Sequence, residues 1–138
     1  MAYEFRKVTE REAERVIEFY QRFNVGGFPF GTEFYKHNLM AAGFNGVDII
    51  QGGTLYEITA DMPISVRHPQ AILLTDLLVH PDFRGRGITQ QFIEWVKKTF
   101  PYRKELIINP VNKTVANWAK KTLGFQDDER GGLFLSFT

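Results

Sequence analysis

One nearly continuous apolar run, AILLTDLLV at residues 71–79, is interrupted only by Thr75 and Asp76. A run of this length reads as a central strand buried on both faces. Such a strand needs covering layers above and below it, so the chain has to be built around a sheet flanked by helices. The run leads through HPDFRGRG into a segment where Ile88, Phe92, Trp95, Val96 and Phe100 recur at helical spacing. Strand, glycine-rich loop and helix therefore follow one another directly.

The flanking sequence fills in the layers. YEFRKV reads as a first short strand. Thr9 and Glu12 fit a capping box, and Ala13, Val16, Ile17, Tyr20 and Phe23 give a helix running to about Phe23. NVGGFPFG (24–31) is a glycine-rich aromatic loop, either a closing loop at an acceptor mouth or a plain connection with an apolar plug. Thr32 can cap a second helix, EFYKHNLMAA, which Gly43 would end. VDIIQGGTLYEITA reads as a hairpin about Gly52-Gly53. KELIIN is a further strand. In NKTVANWAKKTLGF, Asn112 caps a helix with Val115, Ala116, Ala119 and Leu123 on its apolar face, and Gly124 and Phe125 form a Schellman-type stop. GGLFLSFT closes as a strand, with one more short strand near Gln126. The expected fold class is α/β, with a mixed, mainly antiparallel central sheet and helices on both faces.

Composition narrows the function. A length of 138 residues suits one domain spanning 1–138. No apolar run approaches a membrane span, and MAYEFRKVTE lacks the apolar stretch of a signal peptide, so a cytoplasmic protein is expected. There is no cysteine, which excludes disulfides, thiolate metal sites and a cysteine acyl-enzyme. His37, His68 and His80 lack metal-ligand spacing, and neither Ser65 nor Ser136 lies in G-x-S-x-G. No metal is expected. The net charge of +1 argues against a nucleic-acid binder. Residues 84–121, however, hold nine basic groups against Glu94 and Glu105, a local balance of +7. That segment suits a small, highly charged anion.

The loop DFRGRGITQQF gives that anion a place. The first turn of a helix presents unpaired N–H groups and the positive end of its dipole. Gly85 and Gly87 let the backbone approach an anion closely, and Arg84 and Arg86 add charge. A short G-x-G alone also fits a plain strand-to-helix turn. It is not a Walker A loop, which needs Gly-Lys-Ser/Thr, nor a dinucleotide fingerprint, because Gln90 stands where the third glycine belongs.

The longer stretch LLVHPDFRGRGITQQFIEWV resembles motif A of the GCN5-related N-acetyltransferases (GNAT), roughly L-x-V-x-P-x-[FY]-[RQ]-G-x-G-[IV]-[GA]. Leu77, Val79, Pro81, Phe83, Arg84, Gly85, Gly87 and Ile88 all fall in place. NKTVANWAKKTLGF resembles the family's motif B, and the element order matches over essentially the whole chain. The resemblance implies a GNAT-like acyl-CoA acyltransferase fold and acetyl-CoA as cofactor. It implies a pyrophosphate held by main-chain N–H groups of Arg84, Gly85, Arg86, Gly87, Ile88 and Thr89. It also implies a pantetheine arm paired to the backbone of Leu77, Leu78 and Val79, with Asn112 touching it. The activity implied is direct transfer of acetyl to a primary amine on a small molecule, peptide or protein, by a monomer or homodimer. The alternative is a catalytically weak acyl-CoA-binding regulatory module.

Chemistry needs a base for the amine, donors for an oxyanion and a proton for the thiolate. Backbone N–H of Leu78 or Val79 could face the oxyanion. Asp76 is the candidate base: it is the only charge in the apolar run, and burial would raise its pKa. It could equally brace a neighbouring element. Glu57 and Asp61 are weaker candidates. Two positions depart from the family pattern. Lys120 stands where a tyrosine is usual, pairing with phosphate or sitting at the helix C-end. Thr89 replaces the last small residue of motif A, either crowding the pyrophosphate or bonding it. Tyr35, Tyr56 and Tyr102 are other possible proton donors.

Overall fold

The computed structural model describes residues 3–23, 39–110 and 112–137. Seven strands form among them: β1 (Glu4–Lys7), β2 (Leu39–Asn45), β3 (Asp48–Glu57), β4 (Ala71–Val79), β5 (Glu105–Ile108), β6 (Gln126–Asp127) and β7 (Leu133–Ser136). The helices are α1 (Glu10–Phe23), α2 (Ile88–Thr99) and α3 (Lys113–Trp118), the last continued by a π-helical turn, Ala119–Leu123. The sheet order is β1-β2-β3-β4-β5-β7-β6. β4–β5 is parallel, whereas β1–β2, β2–β3, β5–β7 and β6–β7 are antiparallel. The expected mixed, mainly antiparallel α/β architecture is observed. The chain divides into two compact units, 1–55 with 76–95, and 56–75 with 96–138.

In the first unit, α1 begins at the expected box. The Thr9 N–H donates to Glu12 Oε1 at 3.1 Å and the Thr9 hydroxyl to the same oxygen at 3.0 Å. Partial burial pulls the Glu12 carboxyl up, but the Thr9 N–H and hydroxyl and the Arg6 guanidinium outweigh it and lower its pKa. The apolar face of α1 (Ala13, Val16, Ile17, Phe19, Tyr20) packs on Met40, Ala42 and Phe44 of β2 and Ile49 of β3. Gly43 points the other way, with Phe5 beside it. There Phe92 of α2 meets Phe5 at 6.0 Å between ring centroids. Helices thus cover both faces of this part of the sheet.

Two local readings need correction. Leu39, Met40, Ala41 and Ala42 are strand rather than the end of a second helix, and Gly43 is mid-strand. Their alternation between the α1 and α2 faces outweighs the helical propensity of a Leu-Met-Ala-Ala run. The loop at 24–31 and residues 33–38 of that expected helix lie outside the described residues. The hairpin turns at Gly46-Val47, between Asn45 and Asp48, with Gly46 at φ 63°. Gly52-Gly53 lies inside β3 instead. A Cβ on Gly52 would come 2.7 Å from the Tyr20 hydroxyl. Close approach, not a turn, requires that glycine.

In the second unit, Ile58, Ala71 and Ile107 form a small core with Leu73 and Phe134. Asn112 caps α3 as expected, its Oδ1 accepting from the Val115 N–H at 2.9 Å. Gly124 takes φ 81°, the Phe125 N–H returns to the Ala119 carbonyl, and Phe125 is buried. A buried ion cluster is anchored on His68, 6% exposed. Its Nδ1 is 3.1 Å from Glu105 Oε1 and its Nε2 is 2.8 Å from Asp128 Oδ1. Arg67 Nη2 donates to Asp128 Oδ2 at 2.9 Å.

A neutral imidazole can donate to only one of these carboxylates, an imidazolium to both. Burial pulls the His68 pKa down, but the bonds to Asp128 and Glu105 win and raise it. The Arg67 guanidinium and then His68 hold the Asp128 carboxyl well below the usual carboxylate range. Because the folded pKa of His68 is raised, its contribution to stability is complete below the unfolded histidine value and is lost as pH rises from there through the higher folded value. The melting temperature should therefore fall between pH 6 and pH 8. His68→Gln should flatten that slope; an unchanged slope in the variant would show that His68 is not its source.

Candidate functional site

The loop after β4 and the first turn of α2 belong entirely to the first unit. Pro81–Phe83 form a short 3-10 turn, in which the His80 ring accepts the Asp82 N–H at its Nδ1, 3.0 Å away. A neutral His80 therefore carries its proton on Nε2. Gly85 and Gly87 sit at φ 78° and 74°, in the left-handed region where a side chain is disfavoured. A Cβ on Gly85 would meet nothing within 4 Å, and one on Gly87 only Gln90 Oε1 at 3.4 Å. Steric crowding does not demand these glycines; the backbone conformation does, and the space beside them is open. The Gly87 carbonyl accepts from the Gln91 N–H, so the N–H groups of Ile88, Thr89 and Gln90 form the unpaired first turn of α2.

The side chains grade from anchor to solvent. Ile88 is buried at 2% exposure and fixes the helix start, while Thr89 is half-buried. Arg84 and Arg86 are exposed. Arg84 Nε donates to the Val79 carbonyl at 3.3 Å, and the Arg86 guanidinium lies 5.0 Å from the Phe83 ring centre. Open glycines, first-turn N–H groups and two exposed guanidinium groups are together the chemistry that a phosphate-bearing group pairs with.

β4 does not stay buried to its end. Ala71, Ile72 and Leu74 are buried, but Asp76 is exposed and Leu77 is 37% exposed. Asp76 is the one non-glycine residue with positive φ among the described residues, at 54°. The parallel pairing to β5 runs from Ala71↔Glu105 to Leu74↔Ile108, before this inversion. Asp76 is therefore exposed rather than buried as expected. An inverted backbone turns its side chain out of the run. The Asp76 carbonyl instead accepts from the buried Tyr20 hydroxyl at 2.6 Å.

Asp76, Leu77, Leu78, Val79 and the cradle residues 84–89 lie in the first unit, whereas Asn112 and Lys120 lie in the second. The Asn112 side chain is the helix cap already described. Lys120 Nζ is 3.3 Å from both carboxylate oxygens of Asp127, an ion pair at the π-helical turn. Among the weaker base candidates, Glu57 accepts from the Tyr102 hydroxyl and, at 3.4 Å, from Arg103 Nε. Asp61 is exposed and bonded by the Thr59 hydroxyl. Tyr35 lies outside the described residues.

Beside the loop is a cleft of about 470 Å³, walled by Phe19, Phe23, His80 and Phe83 and edged by Glu18 and Asp82. The His80 ring is 4.4 Å from Phe23 and 5.6 Å from Phe83 between centroids. Sequence reading takes Phe23 and Tyr20 only as helix-face residues, and spacing alone carries no sign of either role. Gly52 is the one available signal, since a glycine inside a strand marks a close approach.

No protein-family model matches the chain, and no curated protein matches its sequence. Solved structures do resemble it over nearly their whole lengths. An Arabidopsis thaliana NAA60 structure in complex with acetyl-CoA superposes with a TM-score of 0.75 at 15% identity, covering 98% of this chain and 96% of that one. A GNAT-family acetyltransferase from Streptococcus pneumoniae gives 0.72 at 12% identity, covering 99% and 100%. The ribosomal-protein-S18-alanine N-acetyltransferase of Escherichia coli gives 0.71 at 11%, covering 99% and 95%. The fold is that of the GNAT acetyltransferases.

The left-handed backbone at Gly87 gives a direct check on the cradle. Gly87→Ala should lower the unfolding free energy by about 1–2 kcal/mol, the usual cost of placing an L-residue there. Chemical denaturation with an unchanged slope would show it; a wild-type midpoint would mean the loop does not hold this conformation.

Proposed function

We propose that the chain is an acetyl-CoA-dependent N-acetyltransferase that transfers acetyl directly to a primary amine. The observation that carries this reading is the left-handed Gly85–Gly87 backbone, with open space beside it, at the N-terminus of α2, in the loop that follows a strand whose backbone inverts at Asp76. The shared fold supports it, as do the acetyl-CoA complex of the Arabidopsis neighbour and the alanine acceptor in the name of the Escherichia coli one.

In this reading, Arg84, Gly85, Arg86, Gly87, Ile88 and Thr89 hold the pyrophosphate through loop N–H groups, with the two guanidinium groups adding charge. The backbone of Leu77, Leu78 and Val79 pairs with the pantetheine arm as an added strand. When bound, acetyl-CoA supplies the thioester carbonyl at which the C–N bond forms as the C–S bond breaks, coenzyme A leaving as a thiolate that takes its proton from solvent. The N–H of Leu78 or Val79 faces the developing oxyanion. The exposed Asp76 carboxylate takes the proton from the amine, directly or through a water. The acceptor is a small-molecule, peptide or protein amine.

A second reading is favoured by Lys120: its ion pair with Asp127 occupies the position where motif B usually carries a tyrosine. It makes the chain an acyl-CoA-binding regulatory module with little turnover. Thiol release from acetyl-CoA with amine, peptide and protein panels separates the two; binding without release favours the module.

At a hundredfold excess over Kd, acetyl-CoA should add about 2.7 kcal/mol of stability, on the order of 10 °C in Tm. Gly87→Glu should abolish that shift by straining the left-handed backbone and setting a negative charge beside the phosphates. Absence of a shift for the wild type at millimolar acetyl-CoA would end the cofactor reading. Asp76→Asn should lower kcat by roughly 10²–10⁴ with the Kd for acetyl-CoA retained, as expected on removing a general base. A wild-type kcat in that variant would take the role from Asp76.

A further inference from the structure

We propose that Tyr20 is a positioning residue. Its hydroxyl, reaching from α1 over Gly52 to the Asp76 carbonyl, holds β4 in its inverted conformation and so presents the Leu77–Val79 backbone for pairing. The consequence for cofactor binding rests on the acetyl-CoA reading; the clamp itself is a property of the backbone.

The argument starts from the inversion. A residue at φ 54° cannot continue a regular ladder, so the Asp76 carbonyl needs a partner off the ladder. Aspartate tolerates this conformation better than most side chains, but it still stores strain that neighbouring structure has to hold. The Tyr20 hydroxyl supplies the hold, at 2.6 Å. Its ring is 1% exposed, fixed in the apolar face of α1 among Val16, Ile17 and Phe19. A rigid helix therefore carries the donor, and a buried ring has little freedom to withdraw it.

Gly52 shows that the path of the ring is a demanding one. A Cβ there would lie 2.7 Å from the Tyr20 hydroxyl oxygen and 2.8 Å from the ring carbon that bears it. β3 gives up a side chain at a fully buried position so that the hydroxyl can cross it. On the far side of the bulge, the His80 N–H donates to the Ile50 carbonyl at 2.8 Å, returning β4 to β3. The strand is thus held at the inversion by Tyr20 and again four residues later by β3, with Leu77–Val79 between the two holds. Burial, and then the Asp76 charge, push the Tyr20 hydroxyl well above its ordinary pKa, so it keeps its proton and stays a donor. The same burial removes it from consideration as the acid for a leaving thiolate.

Amide hydrogen exchange on the full chain tests the clamp without any ligand. In Tyr20→Phe, exchange at residues 75–80 should speed up at least tenfold relative to β2 amides, with β2 close to wild type. Gly52→Ala, which keeps the hydroxyl but displaces it, should give the same local pattern. Uniform acceleration, or none, would reduce Tyr20 to a core residue and overturn the proposal. Titration with coenzyme A then reads the consequence: Tyr20→Phe should bind five- to thirtyfold more weakly. Unchanged affinity alongside local loosening would break the link to cofactor pairing. Failure of the wild type to bind coenzyme A would overturn the functional reading instead, with the exchange pattern still deciding the clamp.

Discussion

The hydrogen bond from a buried tyrosine to the carbonyl of an inverted aspartate organises the first unit. Without an inversion, AILLTDLLV would be what its composition suggests, a strand buried from end to end. With it, the strand is largely buried through Leu74, exposed at Asp76 and Leu77, and half-buried again at Leu78 and Val79. The same nine residues thus serve as a core element at one end and an accessible edge at the other. Gly85 follows the last strand residue, Val79, by six positions, so one short stretch carries both extended backbone and the left-handed glycines that precede α2.

The loop itself depends on backbone conformation more than on side-chain chemistry. Gly85 and Gly87 leave the left-handed region open, and Ile88, buried beneath, fixes where α2 begins. The arginines are more loosely tied, one to the Val79 carbonyl and one over Phe83. Charge here tunes a site whose shape the main chain has already made.

Much of this was legible in the sequence wherever a local rule acted alone. Asn112 caps its helix, Gly124 ends it in the left-handed region, and Thr9 and Glu12 pair, because caps depend on a few neighbouring residues. Legibility failed where distant contacts overrode local preference. Gly52-Gly53 looks like a turn until Tyr20, 32 positions earlier, is seen to need the space. The actual turn, Gly46-Val47, carries an ordinary two-residue hairpin signal, a glycine at its first position, that the neighbouring glycine pair overshadows. Leu39–Ala42 has helical composition but alternates between two covered faces. Asp76 stands out by its charge, which points to a role, but only its φ shows that it faces outward. The Lys120–Asp127 pair depends on the π-helical turn, which spacing at 3.6 residues does not reveal.

The two compact units interlace along the chain: the first is made of 1–55 and 76–95, the second of 56–75 and 96–138. Three elements, β3, β4 and α2, begin in one unit and finish in the other. No single cut can therefore release either unit whole. During synthesis the first unit also cannot be completed until residue 95 has emerged, by which time the opening segment of the second is already waiting for its partner strands. The cradle, at 84–89, lies in the segment that closes the first unit, so it takes shape as one of the last parts of that unit to form.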